Sequence, residues 1–283
     1  MSQTIFLLLG VLGLVGIGAA VSGNDDDHPP EGEGDDPRLH PDTVIGDEDE
    51  DDDQVLTGTD GDDGILGGNG DDTIDGGLGD DLVTGAYGDD SIIADPGNDD
   101  IYLGSGDDIY GGRADGANQG NDTIFGGYGD DTITTNLGSH SIEGGDGDDE
   151  IYDYGGSVYI DGQEDDDLIL SADASDPEAP DTLMGGEGVD TIHAGAGDIV
   201  DAGTGADQII LRSDAGGPAD IALGGADSIT ITLAADYTGE ETYELVQDGE
   251  DVRLVVDGVD LAILRGTEVA EVDQVSLVRE ALS

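Results

Sequence analysis

Aspartate recurs at a regular spacing through the middle of the chain. The series is Asp63, Asp72, Asp81, Asp90, Asp99, Asp108, Asp122, Asp131, Asp149 and Asp167, with steps of nine or eighteen residues and one five-residue insertion. Carboxylate oxygens suit hard cations, and Ca²⁺ accepts about six to eight oxygens at irregular angles, whereas Mg²⁺ needs a tighter octahedral shell. The chain has no cysteine and four histidines, so zinc or copper lacks its usual ligands. The spacing therefore predicts calcium binding.

Each aspartate is the sixth residue of a nine-residue phrase. The clearest copies are GGNGDDTID at residues 67–75 and GGYGDDTIT at residues 126–134. Glycine and aspartate at positions one to six favour turns, and the residues at positions seven to nine suit a strand. Each phrase therefore predicts a six-residue turn followed by a three-residue strand. An apolar residue fills position eight throughout: Ile65, Ile74, Val83, Ile92, Ile101, Tyr110, Ile124, Ile133, Ile142, Ile151, Ile160 and Ile169.

Strands this short must stack to bury their apolar side chains. We expect a solenoid of parallel strands about 4.7–4.9 Å apart, in which two phrases form one coil and residues eighteen apart lie above one another. The turns then form two columns on opposite sides. The first column contains Asp72, Asp90, Asp108, Asp131, Asp149 and Asp167. The second column contains Asp63, Asp81, Asp99 and Asp122, followed by His140 and Val158.

Stacked carboxylates repel one another unless a cation lies between them. One ion in each gap between successive aspartates gives five ions in the first column and three in the second, about eight in this block. The gap between Asp99 and Asp122 contains the insertion. Because His140 and Val158 bring no carboxylate, we expect no calcium beside them.

The phrase resembles the GGxGxDxUx repeat of the RTX, or haemolysin-type, calcium-binding β-roll. The resemblance covers about 40% of the chain strongly. It implies that aspartates at position six and turn carbonyls hold each calcium between consecutive turns of one column. It also implies that the repeats stay unfolded in the low calcium of the cytosol and fold outside the cell. We therefore predict an all-β fold: a right-handed parallel β-roll with a C-terminal antiparallel β cap and an N-terminal apolar helix.

The pattern divides the chain into six segments. They are an apolar signal or anchor at 1–23, an acidic disordered linker at 24–54, the main roll at 55–170, a loop at 171–184, a degenerate repeat block at 185–228 and the β cap at 229–283. The loop contains two X-Pro steps. The degenerate block contains Asp190, Asp198 and Asp207, of which Asp190 and Asp207 are further predicted metal ligands. Asp-Gly pairs at 248–249 and 257–258 predict hairpin turns in the cap.

The N-terminal and C-terminal segments are compatible with two export routes, one through an N-terminal signal and one of type I. An uncharged apolar run starts at Ile5 and ends at Val21, and as a helix it would be about 25 Å long. It is either a membrane tether or a signal peptide, with a buried helix as the third reading, although it lacks a basic n-region. Residues 275–283 resemble the C-terminal export signal that this family often carries. Members exported by the type I route typically lack an N-terminal signal.

The amino-acid composition limits the classes of partner and function that the chain can have. Seventy acidic residues against six arginines give a net charge of −64, so a cation that neutralises this charge should also drive folding. The same charge excludes nucleic acid and disfavours anionic membranes as partners. A halophile's acidic surface would not need aspartate at every ninth position.

No motif indicates an enzyme. The HExxH and GxSxG signatures are absent, and the histidines lie in the linker or in repeats. We predict a secreted or surface-tethered calcium-binding protein with a structural or adhesive role, a partner on the cell surface or in the matrix, and folding on calcium binding. The alternatives are a calcium-independent acidic solenoid and a ligand-binding or ice-binding face on the roll. Asn98 and Asn121 are the only asparagines at position five, which gives ice binding little support.

Overall fold

The computed structural model describes residues 44–45, 53–111, 119–171, 180–213, 217–224, 226–272 and 274–280. Every regular element in these ranges is a β-strand, so the all-β prediction is confirmed there. No helix among the described residues is long and apolar enough to cross a bilayer. The predicted N-terminal helix and most of the predicted linker lie outside the described residues.

The strands of successive phrases alternate between two sheets, because each pair of phrases makes one coil. Within the described residues, the larger sheet has thirteen strands. Their spatial order is β1 (Val44–Ile45), β3 (Gly64–Asn69), β5 (Leu82–Tyr87), β7 (Asp100–Ser105), β10 (Thr123–Tyr128), β13 (Ser141–Asp146), β15 (Tyr159–Glu164), β17 (Thr182–Gly188), β19 (Ile199–Gly205), β21 (Ala219–Ala222), β25 (Val259–Leu264), β24 (Asp251–Val256) and β23 (Tyr243–Asp248).

The opposite sheet has eleven strands in the same described ranges. Their order is β2 (Val55–Thr57), β4 (Thr73–Asp75), β6 (Ser91–Ile93), β8 (Ile109–Gly111), β11 (Thr132–Thr135), β14 (Glu150–Asp153), β16 (Leu168–Ser171), β18 (Thr191–Ala194), β20 (Gln208–Arg212), β22 (Ser228–Leu233) and β26 (Val275–Arg279). A short pair, β9 (Gln119–Gly120) and β12 (Leu137–Gly138), extends the turns of the second column.

The strand register agrees with two phrases per coil. Ile74 lies opposite Ile92, eighteen residues away, in a parallel pair. Ile101 lies opposite Ile124, so the five-residue insertion lengthens one coil without shifting the register. The structure therefore stacks equivalent residues of alternate phrases, as a parallel β-roll requires.

The core is formed by the position-eight side chains. All twelve predicted core residues are buried, from Ile65 to Ile169, with at most 2% of each exposed. Small residues at the turns leave few other apolar groups to fill the interior. Each of these side chains therefore contributes substantially to the stability of its coil.

A pair of isoleucine substitutions tests this core. Ile151→Ala removes a fully buried side chain and should lower the free energy of unfolding by about 2–5 kcal/mol. Ile109 is 55% exposed, and Ile109→Ala should change the same quantity by no more than about 0.5 kcal/mol. Denaturant unfolding in saturating calcium measures both. Equal losses in the two variants would contradict the assignment of the core face.

Two segments, the loop and the linker, differ from the predicted boundaries. β17 begins at Thr182, so the end of the predicted loop at 171–184 is strand, and Leu183 continues the register opposite Ile160 across another five-residue insertion. Two residues of the predicted linker form β1, which pairs in parallel with β3. The parallel strand pairing of the roll is therefore present again from Thr182, inside the predicted loop, and it begins before residue 55.

The cap is antiparallel only in part. β23, β24 and β25 form the antiparallel meander, with turns at the two predicted Asp-Gly pairs, and Gly249 and Gly258 have positive φ there. However, β22 pairs in parallel with β20, and β26 pairs in parallel with β22. Residues 229–233 thus belong to the roll. The alternating pattern predicted a strand there but does not distinguish parallel from antiparallel pairing.

Candidate metal centre

The predicted metal ligands are buried carboxylates. All twelve have at most 3% of their surface exposed: Asp63, Asp72, Asp81, Asp90, Asp99, Asp108, Asp122, Asp131, Asp149, Asp167, Asp190 and Asp207. Burying an ionised carboxylate is costly unless it is paired or coordinates a metal. The groups that contact the carboxylate oxygens therefore determine whether these residues are available to bind a metal ion.

In every one of these carboxylates except that of Asp63, whose bonded oxygen accepts from Thr59 in its own turn, one oxygen ties neighbouring coils together. The backbone N–H of Asp90 donates to Oδ1 of Asp108 at 2.7 Å, and that of Asp131 donates to Oδ1 of Asp149 at 2.8 Å. The same bond links the other successive aspartates of the first column, as far as Asp227. Position six therefore holds the stack together as well as bringing charge.

The other oxygen lacks a partner in the first column from Asp72 to Asp207. Among the described residues, Oδ2 is buried without a hydrogen bond in Asp72, Asp90, Asp108, Asp131, Asp149, Asp167, Asp190 and Asp207. In the second column Asp81 and Asp99 share this feature, and Asp63 has one such oxygen. Buried polar atoms are nearly always satisfied in native proteins. A row of buried carboxylate oxygens without hydrogen bonds is the arrangement expected of cation ligands.

The turn glycines bring backbone carbonyls close to these oxygens. A Cβ placed on Gly67 would lie 2.5 Å from Oδ2 of Asp72 and 2.6 Å from the carbonyl oxygen of Gly85 in the next coil. A Cβ on Gly144 would meet Oδ2 of Asp149 and the Gly162 carbonyl in the same way. Carboxylate and carbonyl oxygens from adjacent turns thus converge, and this donor set fits calcium.

Backbone oxygens must supply much of each coordination shell. Within the described residues, no group of three or more His, Cys, Asp or Glu side chains is arranged to hold one ion. Such a site needs both the position-six carboxylate and the glycine-rich turn. Position one is not always glycine, since Leu103 and Ala202 occupy it in two turns of the first column and bury their side chains in the core.

Burial opposes ionisation of these carboxyl groups. It raises the pKa of Asp131 and Asp167 to about 8, and that of Asp149 to about 7, with neighbouring aspartates adding to the effect. In the second column it raises the pKa of Asp99 to about 7 and of Asp81 to about 6. A cation within the column favours the ionised form and reverses these shifts. The buried aspartates are therefore better suited to binding a metal ion than to remaining ionised without a cationic partner.

The hydrogen bonds to the carboxylates of the second column differ from Asp122 onward. Asp122 is the only predicted ligand, among the described residues, whose two oxygens both have donors: Asp99 N–H at 3.2 Å and Tyr110 Oη–H at 3.3 Å. Further along, Ser171 Oγ donates to Asp181, and the Gly195 N–H donates to Asp198 at 2.5 Å. Protein donors there occupy the oxygens that are unsatisfied in the first column.

Position one of these later turns also loses its glycine. Thr135, Asp153 and Ser171 stand there, all buried, and Thr135 Oγ1 donates to Asp153 Oδ1 at 2.7 Å. Their side chains take the space that glycine leaves open elsewhere. This arrangement supports the expectation that calcium is missing beside His140 and Val158.

The prediction omitted aspartates that continue the columns. Asp181 was placed in a loop, yet its Oδ1 accepts the Val158 N–H at 2.8 Å and its own N–H donates to Asp198. The triplet Asp181, Thr182 and Leu183 matches positions six to eight and could have revealed it. Asp227 belongs to a degenerate last copy of the phrase that the sequence already shows at residues 224–227, although it is not among the predicted ligands, and its Oδ1 accepts the Asp207 N–H at 3.2 Å.

Position five forms a second, exposed aspartate ladder outside the first column. The N–H of Asp148 donates to Oδ1 of Asp130, and the N–H of Asp166 donates to Oδ1 of Asp148, both at 3.0 Å. These bonds run in the direction opposite to those of position six. Because the position-five carboxylates face solvent, they provide matched controls for the buried ones.

Comparison with known families agrees with this geometry. The family model described as the RTX calcium-binding nonapeptide repeat matches residues 48–83, 77–110, 117–139, 143–176 and 178–209, just over half of the chain. Repeats of that family bind calcium. No curated protein matches the chain.

Proposed function

Since the chain belongs to the RTX calcium-binding nonapeptide repeat family, we propose that it folds on binding calcium outside the cell and serves there as a structural or adhesive module. The observation that carries this proposal is the row of buried, unpartnered Oδ2 atoms in the first column. Without cations these atoms oppose folding, and with cations they become ligands.

The proposed ligands are the twelve aspartates predicted from the sequence. In the first column, the eight from Asp72 to Asp207 define seven gaps in which one ion would contact carboxylates and turn carbonyls. In the second column, the gaps from Asp63 to Asp99 have the same unsatisfied oxygens. The gap between Asp99 and Asp122 retains one of them. Metal at these positions would supply charge neutralisation and a link between successive coils.

Charge explains why calcium would control folding. A net charge of −64 resists compaction, and divalent ions inside the columns remove much of that repulsion. Extracellular calcium modules typically bind at about 0.1–1 mM, far above cytosolic calcium. A chain with such sites would remain unfolded in the cytosol and fold after export, because metal binding supplies the free energy of folding.

The folded roll would act as a structural or adhesive element at the cell surface. This role involves no catalytic step, since the sequence has neither the HExxH nor the GxSxG motif. The apolar run from Ile5 to Val21 would tether the roll to a membrane or direct its export. A cell-surface or matrix partner follows from the proposed adhesive role.

A calcium titration followed by far-ultraviolet circular dichroism tests the proposal. We expect the calcium-free protein at neutral pH to be largely unstructured and to gain β structure cooperatively, with several ions bound per chain. Equal magnesium should not replace calcium, because Mg²⁺ keeps its waters. Equal folding in sodium chloride alone would favour the calcium-independent acidic solenoid.

A further inference from the structure

Four aromatic side chains lie at the surface of three consecutive strands of the larger sheet. They are Tyr87 on β5, Tyr102 on β7, and Phe125 and Tyr128 on β10. Tyr87 and Tyr128 are 60% and 64% exposed, Tyr102 is 39% exposed, and Phe125 is half-buried. The sequence has nine tyrosines, two phenylalanines and no tryptophan, so more than a third of its aromatic residues belong to this set, which we call the aromatic patch.

The strand register arranges the aromatic patch in two rows along the roll. Tyr102 and Phe125 lie opposite each other in a parallel pair, with their rings stacked at 4.9 Å between centroids and 13° between planes. Tyr87 and Tyr128 pair with Ser105 from either side, at the ends of their strands. Two strand spacings separate them, about 10 Å between backbones. An extended chain running along the roll can therefore contact both rows.

Carboxylates border the aromatic patch. Each of the two most exposed tyrosines is followed two residues later by an exposed aspartate, Asp89 or Asp130. The Oδ1 atoms of these aspartates accept the N–H groups of Asp107 and Asp148, both at 3.0 Å, so backbone hydrogen bonds hold the carboxylates in place. In the row of stacked rings, the next strand contributes Glu143. The surface is thus aromatic in the middle and acidic at its borders.

This combination fits a guanidinium group. An arginine side chain stacks on aromatic rings and forms bidentate hydrogen bonds with carboxylates, whereas lysine is a compact and strongly hydrated charge. Tyrosine and arginine are also enriched in protein–protein interfaces. A net charge of −64 attracts a basic partner from a distance and repels an acidic one, which opposes docking of a second copy of this chain.

The described part of the chain does not supply such an arginine. The whole sequence has six arginines and no lysine. The four arginines within the described ranges lie in the cap or next to it, and each forms an ion pair with an acidic residue: Arg212 with Glu280, Arg253 with Asp260, Arg265 with Asp220 and Arg279 with Glu241. A basic segment on the aromatic patch therefore has to come from another protein.

We propose that the aromatic patch and its bordering aspartates bind an extended, arginine-rich segment of a partner protein. The inference rests on the proposed adhesive role and names the chemistry of the partner. Guanidinium groups would stack on Tyr87 and Tyr128 and form ion pairs with Asp89 and Asp130. The stacked rings of the other row would contact the aliphatic parts of the same arginine side chains.

Peptide binding to the calcium-saturated full chain tests the patch. Fluorescence anisotropy should show that the wild type binds a labelled nona-arginine peptide at least about 5-fold more tightly than a nona-lysine peptide of equal charge, because the guanidinium group stacks better. The strand between the two exposed tyrosines has Ser105 at their position, so Tyr87→Ser combined with Tyr128→Ser should keep the fold. This double variant should bind nona-arginine about 5–30-fold more weakly and lose the preference for arginine.

Tyr154→Ser is the matched control. Tyr154 is 55% exposed and follows β14 of the opposite sheet, so this variant should bind nona-arginine as tightly as the wild type. Equal binding of the two peptides by the wild type would show that overall charge alone attracts them, and it would overturn the proposal. This comparison needs no substitution, so it stays decisive if the double variant fails to fold.

A neutral sugar provides the remaining test. Binding of cellohexaose that is lost in the double variant, without any preference for arginine, would assign the aromatic patch to carbohydrate and overturn the proposal. Circular dichroism in calcium is recorded before any ligand is added. A chain that gains no β structure contradicts the proposed function, whereas a folded roll without a preference for arginine contradicts this inference alone.

Discussion

Asp149→Asn should lower calcium affinity in the first column by at least the ~10–100-fold that loss of an outer-shell metal partner causes. The amide keeps an oxygen that can accept the Asp131 N–H, now at 2.8 Å, so the link between coils survives. It removes the charge that Oδ2 would present to calcium. The loss of affinity therefore reports the metal rather than the hydrogen bond.

Asp148→Asn is the matched control for that variant. Asp148 is the adjacent residue and is exposed, and its Oδ1 accepts the Asp166 N–H at 3.0 Å. Both substitutions remove one negative charge from the same turn. Equilibrium dialysis should find fewer calcium ions bound to Asp149→Asn at a concentration that saturates Asp148→Asn. Equal losses in both variants would mean that calcium follows the exposed ladder or the overall charge.

The repeat made most of the fold predictable because one period determines three properties together. A step of nine places Ile142 in the core, puts Asp149 at a turn and fixes the eighteen-residue register between coils. The structure confirms the burial and the register. The residue types within one nine-residue phrase indicate all three properties, so these parts of the fold could be predicted without knowledge of distant tertiary contacts.

The prediction was weaker where the period is interrupted. The five-residue insertion before Leu183 conceals the phase, and Asp181 was therefore missed as a member of the second column. Apolar alternation at 229–233 does not report strand direction, so β22 was assigned to the antiparallel cap. The separate uses of Oδ1 and Oδ2 also require coordinates, because both oxygens belong to one residue type.

The change in the surroundings of the second-column aspartates was only partly visible in the sequence. The sequence shows that His140 replaces aspartate, and this was enough to predict a missing calcium. It does not show that Tyr110 and Ser171 donate to Asp122 and Asp181. Those donors come from residues more than nine positions distant, and only the stacking of coils brings them to the carboxylates.

Acid should partly replace calcium in folding the roll. Unfolded aspartate has a pKa near 3.9, whereas burial raises the pKa of Asp131 and Asp167 to about 8 in the folded chain. Between these values the folded state binds more protons than the unfolded state, so stability falls as pH rises. Calcium-stripped protein should therefore gain β structure on acidification from pH 8 to about pH 5.

Calcium should reverse this dependence. An ion in the column favours the ionised carboxylate and lowers its pKa, so protons then compete with the metal. Thermal unfolding followed by circular dichroism should show greater stability at pH 5 than at pH 8 without calcium, and the opposite order in saturating calcium. A calcium-free profile that rises with pH would contradict the buried, uncompensated carboxylates.

A double variant separates this local effect from general charge repulsion. Asparagine at both Asp131 and Asp167 resembles the protonated residues, so the variant should fold better than the wild type at pH 8 without calcium and bind fewer ions when calcium is added. The same change at exposed Asp130 and Asp166 removes equal charge without relieving the buried carboxylates. If both double variants gain the same β structure, repulsion across the whole surface controls folding; if only the first gains it, the interior of the column does.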